Sequence, residues 1–191
     1  MRKFTVVLLF VLVFGAFAAA QMEPKPLEVP KTELYLGYAY QRADTTGSNV
    51  VHSTPLNGFA FEFSHYFKAH NFGFTVDLAR GSNKSVDSTG IKYQRSSYMG
   101  GPSYRLHTFG FLTPSVHGLV GVDRDDFTVP QNGTTIDYRS TELAAAGGVT
   151  LDGNLSHHLG IRLAQLDYLY TNHYGTNQAS LRYTGGVVFR F

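Results

Sequence analysis

The chain has 191 residues, with 20 Gly, 15 Phe and 12 Tyr, no Trp and no Cys, and only 16% charged residues, where a soluble domain carries about 25%; much of its surface is therefore expected not to meet water. The absence of cysteine excludes a disulfide framework, thiolate zinc sites, a cysteine nucleophile and a lipid-modified cysteine anchor. Setting aside Arg2 and Lys3 of the N-terminal segment, 16 Lys+Arg become 14 against 14 Asp+Glu, so no basic footprint for nucleic acid remains.

Arg2 and Lys3 form a positive start, Phe4 to Phe17 is an apolar run, and Ala18-Ala19-Ala20 offers a small-residue cleavage site. Residues 1–20 are thus expected to be a signal peptide cleaved near Ala20, because the run falls short of the roughly 20 residues that a spanning helix needs. Residues 21–31 carry Pro24, Pro26 and Pro30, which deny them a helix or a sheet interior. They read as an extended periplasmic spacer before a single domain over 32–191.

From Thr32 onward apolar residues recur at every second position between clusters of Gly, Asn, Asp, Ser and Thr, an all-β pattern. The expected strands are Thr32 to Gln41, Asn57 to Tyr66, Phe72 to Arg80, Lys92 to Leu106, Leu112 to Val122, Tyr138 to Leu151, Leu159 to Tyr170 and Ala179 to Phe191. Their connections alternate in length. Phe67 to Asn71, His107 to Phe111 and Asp152 to His158 are short, whereas Arg42 to Leu56, Gly81 to Ile91, Asp123 to Asp137 and Thr171 to Gln178 are mostly longer and polar, and Phe127 falls in one of the long ones. Short turns on one rim and long loops on the other are the mark of an outer-membrane barrel. The expected fold is an eight-stranded antiparallel transmembrane β-barrel with short periplasmic turns and longer extracellular loops.

The two faces of each strand are unequal. Leu34, Leu36, Tyr38 and Tyr40 oppose Tyr35, Gly37 and Ala39; Phe59, Phe61 and Phe63 oppose Ala60, Glu62 and Ser64; Phe72, Phe74, Val76 and Leu78 oppose Gly73, Thr75, Asp77 and Ala79. In the last strand Leu181, Tyr183, Gly185, Val187, Phe189 and Phe191 oppose Arg182, Thr184, Gly186, Val188 and Arg190. A soluble lipocalin-like carrier would turn the bulky face inward. A narrow membrane barrel holds small and charged residues inside and presents Phe, Leu and Tyr to lipid, and Tyr98, Tyr104, Tyr138, Tyr168 and Tyr170 fall near strand ends, where interfacial aromatics belong. Strand length agrees, since about ten residues at roughly 3.3 Å each, tilted near 45°, cover a ~25 Å apolar band. In the seventh strand the apolar role passes from Leu159, Ile161 and Leu163 to Leu166, Tyr168 and Tyr170. A β-bulge at Ala164-Gln165 would keep both halves outward and leave Arg162 and Asp167 inward.

The terminal Tyr183-Thr184-Gly185-Gly186-Val187-Val188-Phe189-Arg190-Phe191, supported by Gly100-Gly101-Pro102-Ser103-Tyr104, Gly118-Leu119-Val120-Gly121-Val122 and residues Ile161 to Tyr170, resembles the small outer-membrane β-barrels of the opacity-protein and outer-membrane-protein-A type. The resemblance spans most of Thr32 to Phe191. It implies outer-membrane lipid as surroundings, insertion by the barrel-assembly machinery with Tyr183, Val187, Phe189 and Phe191 as the assembly signal, and periplasmic termini. Unlike in the larger members, no peptidoglycan-binding domain is expected after the barrel.

The inward candidates Glu62, Asp77, Arg95, Arg162, Asp167, Arg182 and Arg190 are read as a structural charge network across the lumen, because an unpaired charge there is expensive. The other reading is a narrow porin-like conduit. Ser115 and His117 share a strand face, and Asp77 or Glu62 would complete a catalytic trio, yet no motif of a barrel lipid hydrolase or acyltransferase is present, and the protein is read as non-enzymatic. His157-His158 would point to opposite faces of a strand, His173 stands alone in the last loop, and Asp123, Asp125 and Asp126 lack the glycine and glutamate of a calcium loop. Neither metal nor cofactor is expected. The expected function is envelope integrity or surface interaction through the extracellular loops, whose partner the sequence does not name.

Overall fold

The structure, a computed structural model, describes residues 30–43, 54–67, 71–86, 91–131, 134–173 and 176–191. The expected signal peptide, nearly all of the expected spacer and parts of the four connections read as long lie outside these residues. Eight strands follow in chain order: β1 (Thr32–Ala43), β2 (Thr54–Tyr66), β3 (Phe72–Val86), β4 (Ile91–Arg105), β5 (Leu112–Gln131), β6 (Thr134–Asn154), β7 (Leu159–His173) and β8 (Thr176–Arg190). Each pairs antiparallel with its sequence neighbour, and β1 pairs with β8, closing the sheet into a barrel with order β1 to β8. Closure removes every sheet edge over the shared height of the strands.

Alternation sets the two faces. Leu36, Phe59, Phe74, Val120, Leu143, Val149, Leu166 and Leu181 point out and are 48–79% exposed, while Tyr35, Ala60, Leu119, Leu169 and Val188 are at most 2% exposed. The apolar side is therefore the exterior, the reverse of a soluble ligand carrier. Small residues let the narrow interior close: Ala39, Ala60 and Ala79 pack with Tyr35 and Val188, and Ala144 and Ala146 with Met99, Leu119 and Leu169. Tyr98, Tyr104, Tyr168 and Tyr170 face outward, 41–53% exposed, whereas Tyr138, expected among the interfacial aromatics, pairs with Phe127 on the inner side of the β5–β6 extension and is exposed above the barrel.

Two features depart from the expected boundaries. The bulge in β7 lies one residue earlier, at Leu163–Ala164, where two residues oppose one on β8 between the Arg162–Gly186 and Gln165–Thr184 pairs. It performs the expected task, since Ile161, Leu163 and Leu166 all point outward while Arg162 and Asp167 are buried. The segments read as long loops at 81–91, 123–137 and 171–178 are largely strand. The longest extension is the β5–β6 hairpin, whose register runs unbroken from Leu112–Gly153 to Gln131–Thr134. Beyond the apolar band the outer face meets water while the inner face first lines a polar lumen, at Asp123 and Asp125, and only higher up meets water too, so hydrophobic alternation disappears although the backbone ladder goes on. Cross-strand polar pairs take its place, such as Thr128 with Asp137 at 2.7 Å and Arg139 with Asp126 at 2.6 Å.

At the opposite rim the β4–β5 connection closes with reciprocal backbone bonds between Phe109 and Leu112, 2.8 and 2.9 Å. Gly110 takes φ 58° there, a left-handed conformation that glycine adopts without steric penalty. Phe67, Phe72, Tyr104, Phe109, Phe111, Phe189 and Phe191 surround this turn rim as exposed aromatics.

Candidate functional site

The inner face carries the polar chemistry, and strand register dictates its pairing. Four arginines each stand directly opposite a carboxylate on a neighbouring strand: Arg190 opposite Glu33, Arg162 opposite Asp152, Arg182 opposite Asp167 and Arg95 opposite Asp125. In contrast, Glu62 and Asp77 face each other across β2 and β3, a like-charge pair that repels on its own. Two arginines from across the lumen resolve it.

Near the turn rim Arg190 Nε lies 2.7 Å and Arg105 Nη2 3.1 Å from Glu33 Oε1, and the Arg105 guanidinium sits 3.8 Å over the Tyr66 ring. One step higher, Arg162 donates from Nε to Asp152 Oδ1 at 2.9 Å and from Nη1 to Glu62 Oε1 at 3.0 Å and Gln165 Oε1 at 2.8 Å. Its guanidinium lies 4.3 Å from the centroid of the Tyr35 ring. The Arg162–Glu62 contact joins β7 to β2 through the interior.

Arg182 makes the second crossing. Its Nη1 donates to Asp77 Oδ1 at 2.8 Å and its Nε to Asp167 Oδ2 at 2.9 Å, while Nη2 lies 2.8 Å from the same Asp167 oxygen but off the hydrogen-bond direction. Asp167 also takes Gln165 Nε2 at 3.0 Å and meets His117 Nε2 at 2.9 Å. Gly148 makes this arrangement possible, because a Cβ there would lie 2.1 Å from Asp167 Oδ1 and 2.5 Å from His117 Nε2. Towards the loop rim Arg95 holds Asp125 in a fork, 2.7 and 2.9 Å, and the Tyr93 hydroxyl donates to the same carboxylate at 3.0 Å. Such bidentate, charge-assisted contacts fix geometry as well as charge.

Glu62, Asp77, Arg95, Arg162, Asp167, Arg182 and Arg190 are thus all buried on the inner face. They do not all join: Arg190 reaches the Arg162 group through Asp152, 3.6 Å from its Nη2, whereas Arg95 belongs to a separate group near the loop rim. Sequence reasoning missed the partners Glu33, Arg105, His117, Asp125 and Asp152. Glu33 and Asp152 follow from carrying the inward alternation to the strand ends, and Asp125 needed a longer β5. Asp123 and Asp125, expected in the long polar connection from Asp123 to Asp137, both lie on β5 and are 2% and 6% exposed. Phe127 is likewise on β5 rather than in a loop, stacked on Tyr93 with ring centroids 4.3 Å apart.

The possible catalytic trio is not assembled. The Ser115 hydroxyl pairs with Thr150 on β6, His117 pairs with Asp167, and Asp77 and Glu62 are taken by arginines. His157 and His158 occupy the β6–β7 turn rather than a strand, so instead of opposing each other their rings meet edge to face at 4.9 Å, and His158 Nδ1 is 3.0 Å from the Arg190 carbonyl oxygen. His173 closes β7. Among the described residues no group of three or more His, Cys, Asp or Glu side chains is disposed to hold a metal ion.

Tyr183, Val187, Phe189 and Phe191, the residues expected to carry an assembly signal, point outward, 39–67% exposed, and Phe191 exchanges backbone hydrogen bonds with Thr32 at 2.9 and 3.2 Å where the barrel closes.

No protein-family model matches the chain, and no curated protein is similar to it in sequence. Solved structures do match. Ail, the attachment invasion locus protein of Yersinia pestis, superposes with a TM-score of 0.64 at 17% identity, over 84% of this chain and 99% of that one. Neisserial surface protein A gives 0.65 at 16% identity over 84% and 97%, and the outer membrane protein OprG from Pseudomonas aeruginosa gives 0.53 at 13% identity over 88% and 99%. The chain shares the fold of these proteins.

Proposed function

We propose that this protein is a non-enzymatic, integral outer-membrane barrel that stiffens the envelope and displays its extended β5–β6 hairpin at the cell surface. One observation carries the reading: a closed barrel whose exterior is a continuous belt of Phe, Tyr, Leu and Val encloses an interior of paired charges. An exposed apolar area that encircles all eight strands has no stable partner in water, and a closed sheet is one of the two forms in which a backbone crosses lipid with every polar group satisfied. The shared fold with an outer membrane protein supports the same compartment.

Within this reading the charge network is structural. The arginine contacts at Glu62 and Asp77 cross the lumen and tie β7 to β2 and β8 to β3, which opposes a steady conducting path. Ser115 and His117 sit inside the barrel with other partners, which opposes lipid hydrolysis. Tyr183, Val187, Phe189 and Phe191 supply the outward aromatic strand expected of a substrate of the barrel-assembly machinery. The test combines membrane fractionation, gel mobility before and after boiling, and protease cleavage of intact cells in the β5–β6 hairpin. Recovery of the protein in the soluble periplasm without detergent would overturn the reading.

A further inference from the structure

The charges on the outer face are arranged as unevenly as those inside. Register stacks four outward rungs on β3, β4 and β5: Leu78, Tyr98 and Val122 lie side by side, then Arg80, Ser96 and Arg124, then Ser82, Gln94 and Asp126, with Lys84 and the Lys92–Thr128 pair above. The first rung is apolar and the second begins the polar zone, so Arg80 and Arg124 stand at the upper boundary of the belt. They flank a serine from the two adjoining strands, roughly 10 Å apart at Cα, a span that two long guanidinium side chains close around one tetrahedral anion.

Both are available for such a ligand. Arg80 is exposed, and among the described residues no carboxylate is paired with it. The Arg124 side chain is 38% exposed; its Nε is shielded and makes no hydrogen bond, with Asp126 Oδ2 at 3.6 Å. Asp126 is itself engaged by Arg139 at 2.6 Å. Ser96 is 5% exposed on this outer face, as expected of a small residue between two long ones. Among the described residues the outward charges on the patch are Arg80, Lys84, Lys92, Arg124 and Arg139 against Asp126 and Asp137, five minus two, a net +3. Outward side chains near the turn rim include Phe74, Tyr104, Val116 and Phe189, with Thr32 and His65 hydrogen-bonded to each other at 3.0 Å.

We propose that Arg80 and Arg124, with the Ser96 hydroxyl between them, clamp the phosphate of an anionic lipid headgroup in the leaflet at the loop rim. The position selects a lipid over a free anion: the acyl chains descend along Leu78, Tyr98 and Val122 while the phosphate meets the two guanidinium groups, which favour oxyanions through paired, planar N–H donors. The upper lysines add attraction without defining the site. This inference rests on the membrane reading above.

The test uses the full barrel purified in a non-ionic detergent, titrated with phosphatidic acid or phosphatidylcholine of the same chain length, with bound lipid counted by native mass spectrometry. Wild type is expected to prefer phosphatidic acid by about thirtyfold, the contribution of two basic residues near an anionic surface. Arg80→Gln/Arg124→Gln should bring that preference within about threefold, whereas His107→Gln at the other rim should leave it unchanged. Both substitutions lie outside the apolar belt and the lumen, and retained heat-modifiable gel mobility verifies the fold; Arg80→Lys, which keeps charge but not the fork, should give an intermediate preference. Equal binding of the two lipids by wild type, or full preference in the folded double variant, overturns the clamp. Displacement of the lipid by an equal concentration of inorganic phosphate would show a free-anion site and overturn the lipid assignment. Flotation with phosphatidylcholine vesicles separates the two levels: a protein that inserts there without phosphate preference contradicts only the clamp, and one that inserts in no vesicle contradicts the membrane reading.

Discussion

Replacing Arg162 with Met tests the interior network at its most connected point. The guanidinium serves Asp152, Glu62 and Gln165 together and is 2% exposed. Its loss leaves Asp152 with Arg190 Nη2 at 3.6 Å and Glu62 with the Ser64 hydroxyl at 3.1 Å, while Glu62 Oε2 already has no hydrogen-bond partner. Glu62 is therefore the stranded charge. Removing one partner of a buried ion pair costs about 3–5 kcal/mol, and the lost contact with the Tyr35 ring adds about 0.5–2 kcal/mol. Methionine recovers some packing, so a net loss of about 3–5 kcal/mol is expected. The chain has no Trp, and the folded fraction in lipid vesicles is best followed by heat-modifiable gel mobility across a urea series. Adding Glu62→Gln to Arg162→Met should recover about 1–2 kcal/mol, within the range of coupled neighbours, because it neutralises the group left alone. A single variant that loses less than about 1 kcal/mol, the size of a surface pair, or a double variant no better than the single, would refute the reasoning.

Three further outcomes are expected. Phe61→Arg, placed midway up β2 opposite Leu36 and Leu78, should destabilise the inserted barrel by about 2–4 kcal/mol, and Phe61→Leu by much less; vesicle unfolding curves check this. Gly148→Ala should cost about 1–3 kcal/mol by overpacking, since the new methyl collides with the His117–Asp167 contact, and the same unfolding series reads it. Phe127→Ala should leave insertion intact yet cost about 0.5–1.5 kcal/mol from the lost stack on Tyr93, visible as faster protease cleavage of the β5–β6 hairpin.

Much of this architecture was legible in the sequence where lipid and lumen impose opposite demands on one strand. Phe59, Phe61 and Phe63 against Ala60, Glu62 and Ser64 declare both strand and face, and Arg162 and Asp167 fall inward once the shift in β7 is read as a bulge. Legibility ended where that contrast ended. Above the belt β5 turns one face to water and the other first to a polar lumen, at Asp123 and Asp125, and then to water as well, so the alternation that marks a strand vanishes while cross-strand pairs such as Arg139 with Asp126 sustain it. Pairing across the barrel was hidden for another reason. Arg162 meets Glu62 and Arg182 meets Asp77 because closure brings β7 and β8 opposite β2 and β3, a relation that depends on register at every seam and leaves no local mark.

Because the chain contains no cysteine, single cysteines carrying a small fluorophore test the central claim without a background. Labels at Leu36, Phe61, Val149 and Val187, all on the outer apolar belt, and at Lys92 and Thr135 above it, would be read in vesicles with bromine on the acyl chains or iodide in the water. The account predicts bromolipid quenching at the first four positions and iodide quenching at the last two. Iodide quenching at Leu36 and Phe61 with no response to bromolipid would contradict it.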